Sequence, residues 1–447
     1  MAATAFTLNA GPAKRTTVTL TQPSGTTLEA TFCGDEFGSF YVDRSGQRLH
    51  RDSLGYWRPM SALQAEQSFQ QQLTRRRERS LDNTTESEPL TRSAETRAKE
   101  SVTLGEHRML TLLIQYPDLQ FTLGTKEQYD QMLNGTDYTY QGATGSAQRY
   151  FRDNSMEQFI PTFDIVGPVT LSHEYAYYGG NDTSGSDKRA REAIVEGIKL
   201  AISEGLITDL TPYDNDGDKY VDLVYVFYAG YSEAAGAGDD YIWPHQWVVG
   251  TNSLKIGNIR FNKYACSSEL STVPTDKTQY LDGIGSCVHE FSHGLGLPDF
   301  YNTGSQAGCY GMDKWSVMDQ GCYNNDGKTP PNFTAYERQT LGWLECTPLP
   351  EDSDIVLPRL ATDNVAYVYY NPSNKNEAFF FENHQAEGWD AYYDYSISKL
   401  HGMFITHLDY DTKVWDANEV NADPTHQHYT LVPADGNLLP YDQADVT

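Results

Sequence analysis

Hydrophobic and polar positions alternate from the start of the chain. Val18 and Leu20, a Pro23-Ser24-Gly25 turn, then Leu28, Ala30 and Phe32 carry the period of two of a β-hairpin, and glycine-punctuated short strands follow to about Trp57. From Ser61 to Ser101 the sequence turns polar, first Gln-rich and then Arg-rich through Arg75-Arg76-Arg77-Glu78-Arg79, which predicts a helix running into an exposed linker. The apolar run from Met109 to Tyr116, stopped by Pro117, predicts a buried strand, and Ser186 to Glu204 has helical spacing. Further strands are expected over 221–228 and 259–265, and a helix over 283–295. Beyond Leu349 the texture becomes aromatic-rich and alternating at 366–370, 378–382 and 403–407, so this part reads as strands. The pattern predicts an α+β chain with an α/β core and β-rich parts at both ends.

At 447 residues the chain has room for two or three domains. The texture divides it into a β-rich unit at 1–72, a charged linker at 73–104, a central domain at 105–349 and a β-rich part at 350–447. Basic stretches in such a linker are where proteolytic nicking concentrates. A formal charge of −28, from 33 Lys and Arg against 61 Asp and Glu, repels nucleic acid and anionic lipid and suits hard cations. No run of about 18 apolar residues is present, so no membrane span is expected, and Met1 to Leu8 lacks the charge and apolar length of a signal peptide. Cys33, Cys266, Cys287, Cys309, Cys322 and Cys346 form no close metal-ligand pair and predict no disulfide framework.

The chemistry is concentrated in His289-Glu290-Phe291-Ser292-His293-Gly294-Leu295-Gly296-Leu297-Pro298-Asp299. Residues four apart on a helix are offset by only about 40°, so His289 and His293 turn both imidazoles toward one tetrahedral metal. Glu290 stands about 100° round from His289, placed to act as general base toward a metal-activated water. Gly294, Gly296 and Pro298 end the helix, with Gly296 as its left-handed cap, and the reversal carries Asp299 back toward the metal as third ligand. Glu337, in Tyr336-Glu337-Arg338, is the alternative third ligand. Oxyanion stabilisation calls for a further donor, Tyr323 or His407.

Asp214, Asp216, Asp218 and Asp222, with the Tyr220 carbonyl between them, fall at positions one, three, five, nine and seven of a Ca²⁺-type loop. The loop lacks a glycine at position six and a glutamate at twelve, and a strand is expected after it, so it is not a full helix-loop-helix hand.

The turn Trp315-Ser316-Val317-Met318-Asp319-Gln320-Gly321, taken with the helix motif, resembles the Met-turn of metzincin peptidases, although most of these carry a third histidine where Asp299 stands. With Tyr150-Phe151-Arg152-Asp153-Asn154-Ser155, Gly167-Pro168-Val169-Thr170-Leu171, the acidic loop, Ile242-Trp243-Pro244-His245 and Leu341-Gly342-Trp343, the chain from about Leu110 to Gly436 resembles the immune inhibitor A-like family of secreted bacterial metallopeptidases. The resemblance implies a metzincin-like zinc peptidase domain, an extracellular Zn²⁺- and Ca²⁺-dependent endopeptidase acting on protein or peptide substrates, and an N-terminal pro-segment as intramolecular inhibitor. Gly34-Asp35-Glu36-Phe37 lies in the segment resembling that pro-segment, and Cys33, Asp35 and Glu36 are the side chains there able to block zinc. The chain is expected to be a monomeric latent zymogen. The rival readings are a calcium-stabilised binding protein with a vestigial zinc site and a zinc hydrolase of a non-peptide bond.

Overall fold

The computed structural model describes residues 9–82, 102–182, 185–251, 253–304, 311–351, 354–393, 401–423, 425–434 and 436. Met1 to Leu8, Cys309 and residues 83–101 of the expected linker lie outside the described residues.

The opening hairpin forms as β1 (Thr17–Thr21) and β2 (Thr27–Asp35), in register through Leu20 and Leu28. β3 (Gly38–Asp43), β4 (Arg48–Arg51) and β5 (Trp57–Pro59) extend it to a five-stranded antiparallel meander. A helix then runs over Ala62–Asp82, past the expected boundary at residue 72, because Gln and Arg are good helix formers and nothing in that stretch breaks the turn.

The central sheet has the order β7-β6-β8-β12-β9, from β6 (Gly105–Gln115), β7 (Phe159–Thr170), β8 (Val224–Tyr228), β9 (His245–Val248) and β12 (Lys263–Ser268). β7, β6, β8 and β12 are mutually parallel, and β9 closes one edge antiparallel to β12. Parallel strands need cover on both faces. Met109, Leu113, Tyr225 and Phe227 face the core that includes Cys287, Val288 and Phe291 of the helix Ile284–Leu295. Leu110, Leu112, Ile114, Val224 and Val226 face the opposite core, with Ala193, Ile194 and Ile198 of the helix Ala190–Ser203.

Three boundaries differ from the pattern. The helix expected from Ser186 starts at Ala190, since Asp187 is held in an antiparallel bridge with Asn181. The strand expected from Val221 starts at Val224, because the Val221 and Asp222 amides bond to the Arg260 and Tyr213 carbonyls. The 259–265 strand is two pieces: β11 (Ile259–Arg260) pairs with β10 (Lys255–Ile256), and β12 begins afresh at Lys263.

The C-terminal part is a second five-stranded sheet in the order β13 (Thr347–Pro348), β14 (Tyr367–Tyr370), β15 (Glu377–His384), β16 (Gly402–Asp409) and β17 (Tyr429–Leu431). Val368, Phe380, Phe404 and Leu431 join the same buried cluster as the motif helix, so this sheet shares the core of the central domain. The described cysteines Cys33, Cys266, Cys287, Cys322 and Cys346 are unbridged.

Candidate active site

The motif helix is buried almost throughout its length. Its packing depends on absent side chains: a Cβ on Gly285 would stand 1.8 Å from the Cys322 carbonyl oxygen, so the helix lies directly against the 320–323 turn. It ends at Gly296, whose φ of +110° is a left-handed conformation and whose N–H bonds the Ser292 and His293 carbonyls. The chain therefore reverses, and Asp299 returns to the histidines.

His289 Nε2 and His293 Nε2 stand 3.2 Å apart, and Asp299 Oδ1 is 3.2 Å from each. Ligands 2.0–2.1 Å from a tetrahedral zinc are about 3.3 Å from one another, so the three atoms have the spacing of one face of such a site. Each imidazole is oriented from behind: His289 Nδ1 meets the Val317 carbonyl and His293 Nδ1 the Leu297 carbonyl, both at 2.7 Å. Those contacts place the proton on Nδ1 and leave Nε2 a lone pair. Asn418 grips Asp299 twice, its side-chain amide donating to Oδ2 at 2.5 Å and its oxygen accepting from the Asp299 N–H at 2.7 Å. Asp299 Oδ1 is buried without a hydrogen-bond donor. Burial pushes the Asp299 carboxyl up, but the facing histidines outweigh it and hold it well below the usual carboxylate range. Burial lowers His289. Neutral imidazole and ionised carboxylate are the metal-ligating forms, and a divalent cation suits three lone pairs converging in a buried space.

Glu290 lies alongside, with one oxygen within 4.8 Å of both histidine ligand atoms. Its Oε2 is buried and unpartnered, while Oε1 accepts the Gly11 N–H at 2.6 Å. Burial, and then the Asp299 charge, push its carboxyl well above the usual range. Met318 is fully buried, and its carbonyl takes the Phe300 N–H at 2.9 Å, tying the turn to the chain just after Asp299.

The other expected residues are distributed as follows. Glu337 is absorbed in a capping box with Thr334 and in a bond from Ser316, and burial raises its carboxyl to about 7. His407 pairs with Glu377 on the C-terminal sheet at 3.1 Å. The Tyr323 hydroxyl donates to the Pro12 carbonyl at 2.8 Å. Cys33 is half-buried with its thiol toward the Thr31 carbonyl, and Asp35 is paired with the buried Arg76. Glu36 is buried and neither of its oxygens has a hydrogen-bond partner.

In the acidic loop, oxygens of Asp214, Asp216 and Asp218 lie within 4.8 Å of one another. Gly217 and Lys219, at φ +76° and +72°, provide the tight turn. The Tyr220 N–H bonds Asp218, while Asp222 accepts from Asn215 at 2.7 Å and faces His107 at 3.9 Å.

Sequence reasoning missed Asn418, which holds Asp299 and carries no motif, and the segment around Gly11, whose N–H meets Glu290 and which precedes the first periodic segment.

Residues 98–344 match the family model described as immune inhibitor A peptidase M6, catalytic domain. The pre-pro-metalloprotease PrtV of Vibrio cholerae serotype O1 is 29% identical over 274 residues, covering 52% of this chain and 29% of that protein. Immune inhibitor A of Bacillus thuringiensis subsp. alesti is 26% identical over 270 residues, covering 52% of this chain and 39% of that protein. The matched stretch thus spans well under half the length of these relatives. No described helix is long and apolar enough to cross a membrane. With the family match spanning more than half of the residues and falling on the site just described, the chain belongs to the immune inhibitor A peptidase M6 family of metallopeptidases.

Proposed function

We propose that this protein is a secreted zinc-dependent endopeptidase of the HExxHxxGxxD type, metzincin-like in its catalytic domain, in the form of a latent zymogen. The observation that carries the reading is the meeting of His289, His293 and Asp299 at 3.2 Å with Glu290 beside them. These three residues would hold zinc, which when bound polarises a peptide carbonyl and acidifies water. Glu290, which stands beside both histidines with its Oε2 free, takes the proton and returns it to the departing amide nitrogen. Tyr323, whose hydroxyl already engages a peptide carbonyl, binds the substrate backbone.

Asp214, Asp216, Asp218, Asp222 and the Tyr220 carbonyl hold a structural Ca²⁺, supported by the convergence of the first three carboxylates. Residues 1–72 act as pro-segment and inhibitor, 73–104 as the cleaved linker, 105–349 as the catalytic domain and 350–447 as its β-rich complement. Protein substrates, an extracellular location and a monomeric state follow from the same reading.

The test is casein cleavage by the activated protein with metal content measured in parallel. Glu290→Gln is expected to retain zinc and lose activity by at least about 10³-fold. A protein that binds zinc but cleaves no peptide or protein would favour a binding role, and a product of another bond class would favour a different hydrolase.

A further inference from the structure

In the C-terminal sheet, β16 ends at Asp409, the chain leaves through the short helix Thr412–Asp416, and it returns to β17 at Tyr429 directly after His426-Gln427-His428. The base of this excursion is closed by the backbone, the Asp409 N–H donating to the His428 carbonyl at 2.8 Å. His428 Nδ1 donates in turn to the Asp409 carbonyl at 2.6 Å. That bond fixes the tautomer and leaves Nε2 a lone pair, the arrangement also found on His289 and His293. His426 lies stacked on His428, with ring centroids 4.3 Å apart and planes at 19°, and its Nε2 meets Asp409 Oδ2 at 2.8 Å.

A plain surface ion pair needs one histidine and one carboxylate. Here one ligand atom from each of three side chains, Asp409, His426 and His428, lies within 4.8 Å of the other two. Among the described residues, the other groups that converge as closely are His289 with Glu290 and His293, and the carboxylates of the acidic loop. Ligand atoms around a tetrahedral zinc stand about 3.3 Å apart. The adjustment falls mainly to His426, whose side chain is 57% exposed and has room to make it. Two imidazoles and one carboxylate suit a borderline ion such as Zn²⁺, whereas Ca²⁺ and Mg²⁺ take oxygen ligands. Asp423, held by the Thr425 N–H at 2.8 Å and the Thr425 hydroxyl at 2.7 Å, adds negative charge that acts on both rings and favours a cation between them.

We propose that Asp409, His426 and His428 form a further divalent-metal site of the Zn²⁺ type, separate from the His289–His293–Asp299 set and from the acidic loop. Its consequence lies in what the excursion carries. Asn418, which grips the backbone and side chain of Asp299, stands between the ligands in sequence. So does Asn421, whose amide donates to the Phe300 carbonyl at 2.7 Å and the Tyr429 carbonyl at 2.6 Å. An ion joining Asp409 to His426 and His428 ties the excursion shut at its base and steadies the support that Asn418 gives to Asp299.

The experiment uses the full chain in excess Ca²⁺, with Zn²⁺ as the probe. After equilibrium dialysis, the metal content of His426→Gln should be lower than that of the parent by about one equivalent. The same difference should appear when both proteins also carry His289→Gln, which breaks the other histidine pair. His426→Cys, which puts a thiolate ligand in place of the imidazole, should recover the lost ion and so separates ligation from any effect on folding. At a free Zn²⁺ concentration about ten times the Kd, an ion that binds only the closed excursion slows amide hydrogen exchange there by about tenfold. Exchange at residues 411–422 should show that slowing in the parent and in His426→Cys, and none in His426→Gln. Equal zinc content in the parent and His426→Gln, or failure of the cysteine variant to recover the ion, overturns the site. Zinc bound without slower exchange overturns its role in closing the excursion.

Discussion

At the scale of single residues, the site depends on partners that hold the ligands still. Asn418 is the clearest case: it binds both the backbone and the side chain of Asp299 from 119 residues away, and does so at a φ of +55°. Asn tolerates that left-handed backbone at little cost, whereas Ala adds about 1 kcal/mol of strain. Asn418→Ala should therefore lose stability as well as metal affinity, the latter by about 10- to 100-fold in competition with a chelator. Asn418→Gly relieves the strain and separates the two effects: the stability returns while the metal affinity stays low. Equal affinity in parent and glycine variant would show that Asp299 needs no such support.

At the scale of elements, two contacts bear on the site. The motif helix rests on the 320–323 turn through Gly285, and no side chain fits between the helix and the Cys322 carbonyl. Gly285→Ala should lower Tm and weaken metal binding together, because pushing the helix away displaces His289 from the Val317 carbonyl. In the C-terminal sheet, His384 is buried between Glu382 at 3.1 Å and Asp390 at 3.0 Å. Burial alone would lower its pKa, but the charge and hydrogen bond of Asp390, with Glu382, raise it to about 10. A folded pKa above the unfolded value of roughly 6.5 means the stabilisation is complete below that pH and is lost as the pH climbs toward 10. Unfolding free energy should decline across this window in the parent. His384→Gln should be destabilised by about 3–5 kcal/mol at pH 6 and show a flatter decline; parallel pH profiles for the two proteins would contradict the assignment.

At the scale of the whole molecule, residues 9–82 and the family-matched region are held together by direct contacts. Besides the Gly11 N–H held by Glu290, Arg76 is buried against Asp35 and reaches the Thr303 and Asn418 carbonyls at 3.4 Å. A single nick within 83–101 should therefore leave the N-terminal fragment bound, co-eluting in native gel filtration with activity still low until it is degraded or displaced. Immediate release on nicking would mean that these contacts contribute little. The acidic loop gives a separate global prediction. At a hundredfold excess of Ca²⁺ over Kd, binding stabilises the fold by about 2.7 kcal/mol. Chelation should lower the parent's Tm accordingly and leave an Asp216→Asn, Asp218→Asn double variant unmoved.

The local sequence determined the features written at short range. The hairpin around Pro23–Gly25, the strand at Met109–Tyr116 and the helix end at Gly296 follow from periodicity and from residues that permit or forbid a backbone conformation. The pairing of His289 with His293 follows from the helical repeat alone. Tertiary structure decided whatever depends on distant segments meeting. Thr334 and Glu337 carry a local capping-box spacing, but nothing near Glu337 reveals its bond from Ser316, and nothing near 418 announces a partner for Asp299. The same holds for the segment around Gly11: Asn9 to Arg15 has no periodicity of its own, and four of its carbonyls are held by side-chain donors that lie between 232 and 311 residues away. Hydrogen-bond complementarity across such separations leaves no local pattern, because each partner is chosen by the fold that brings it there.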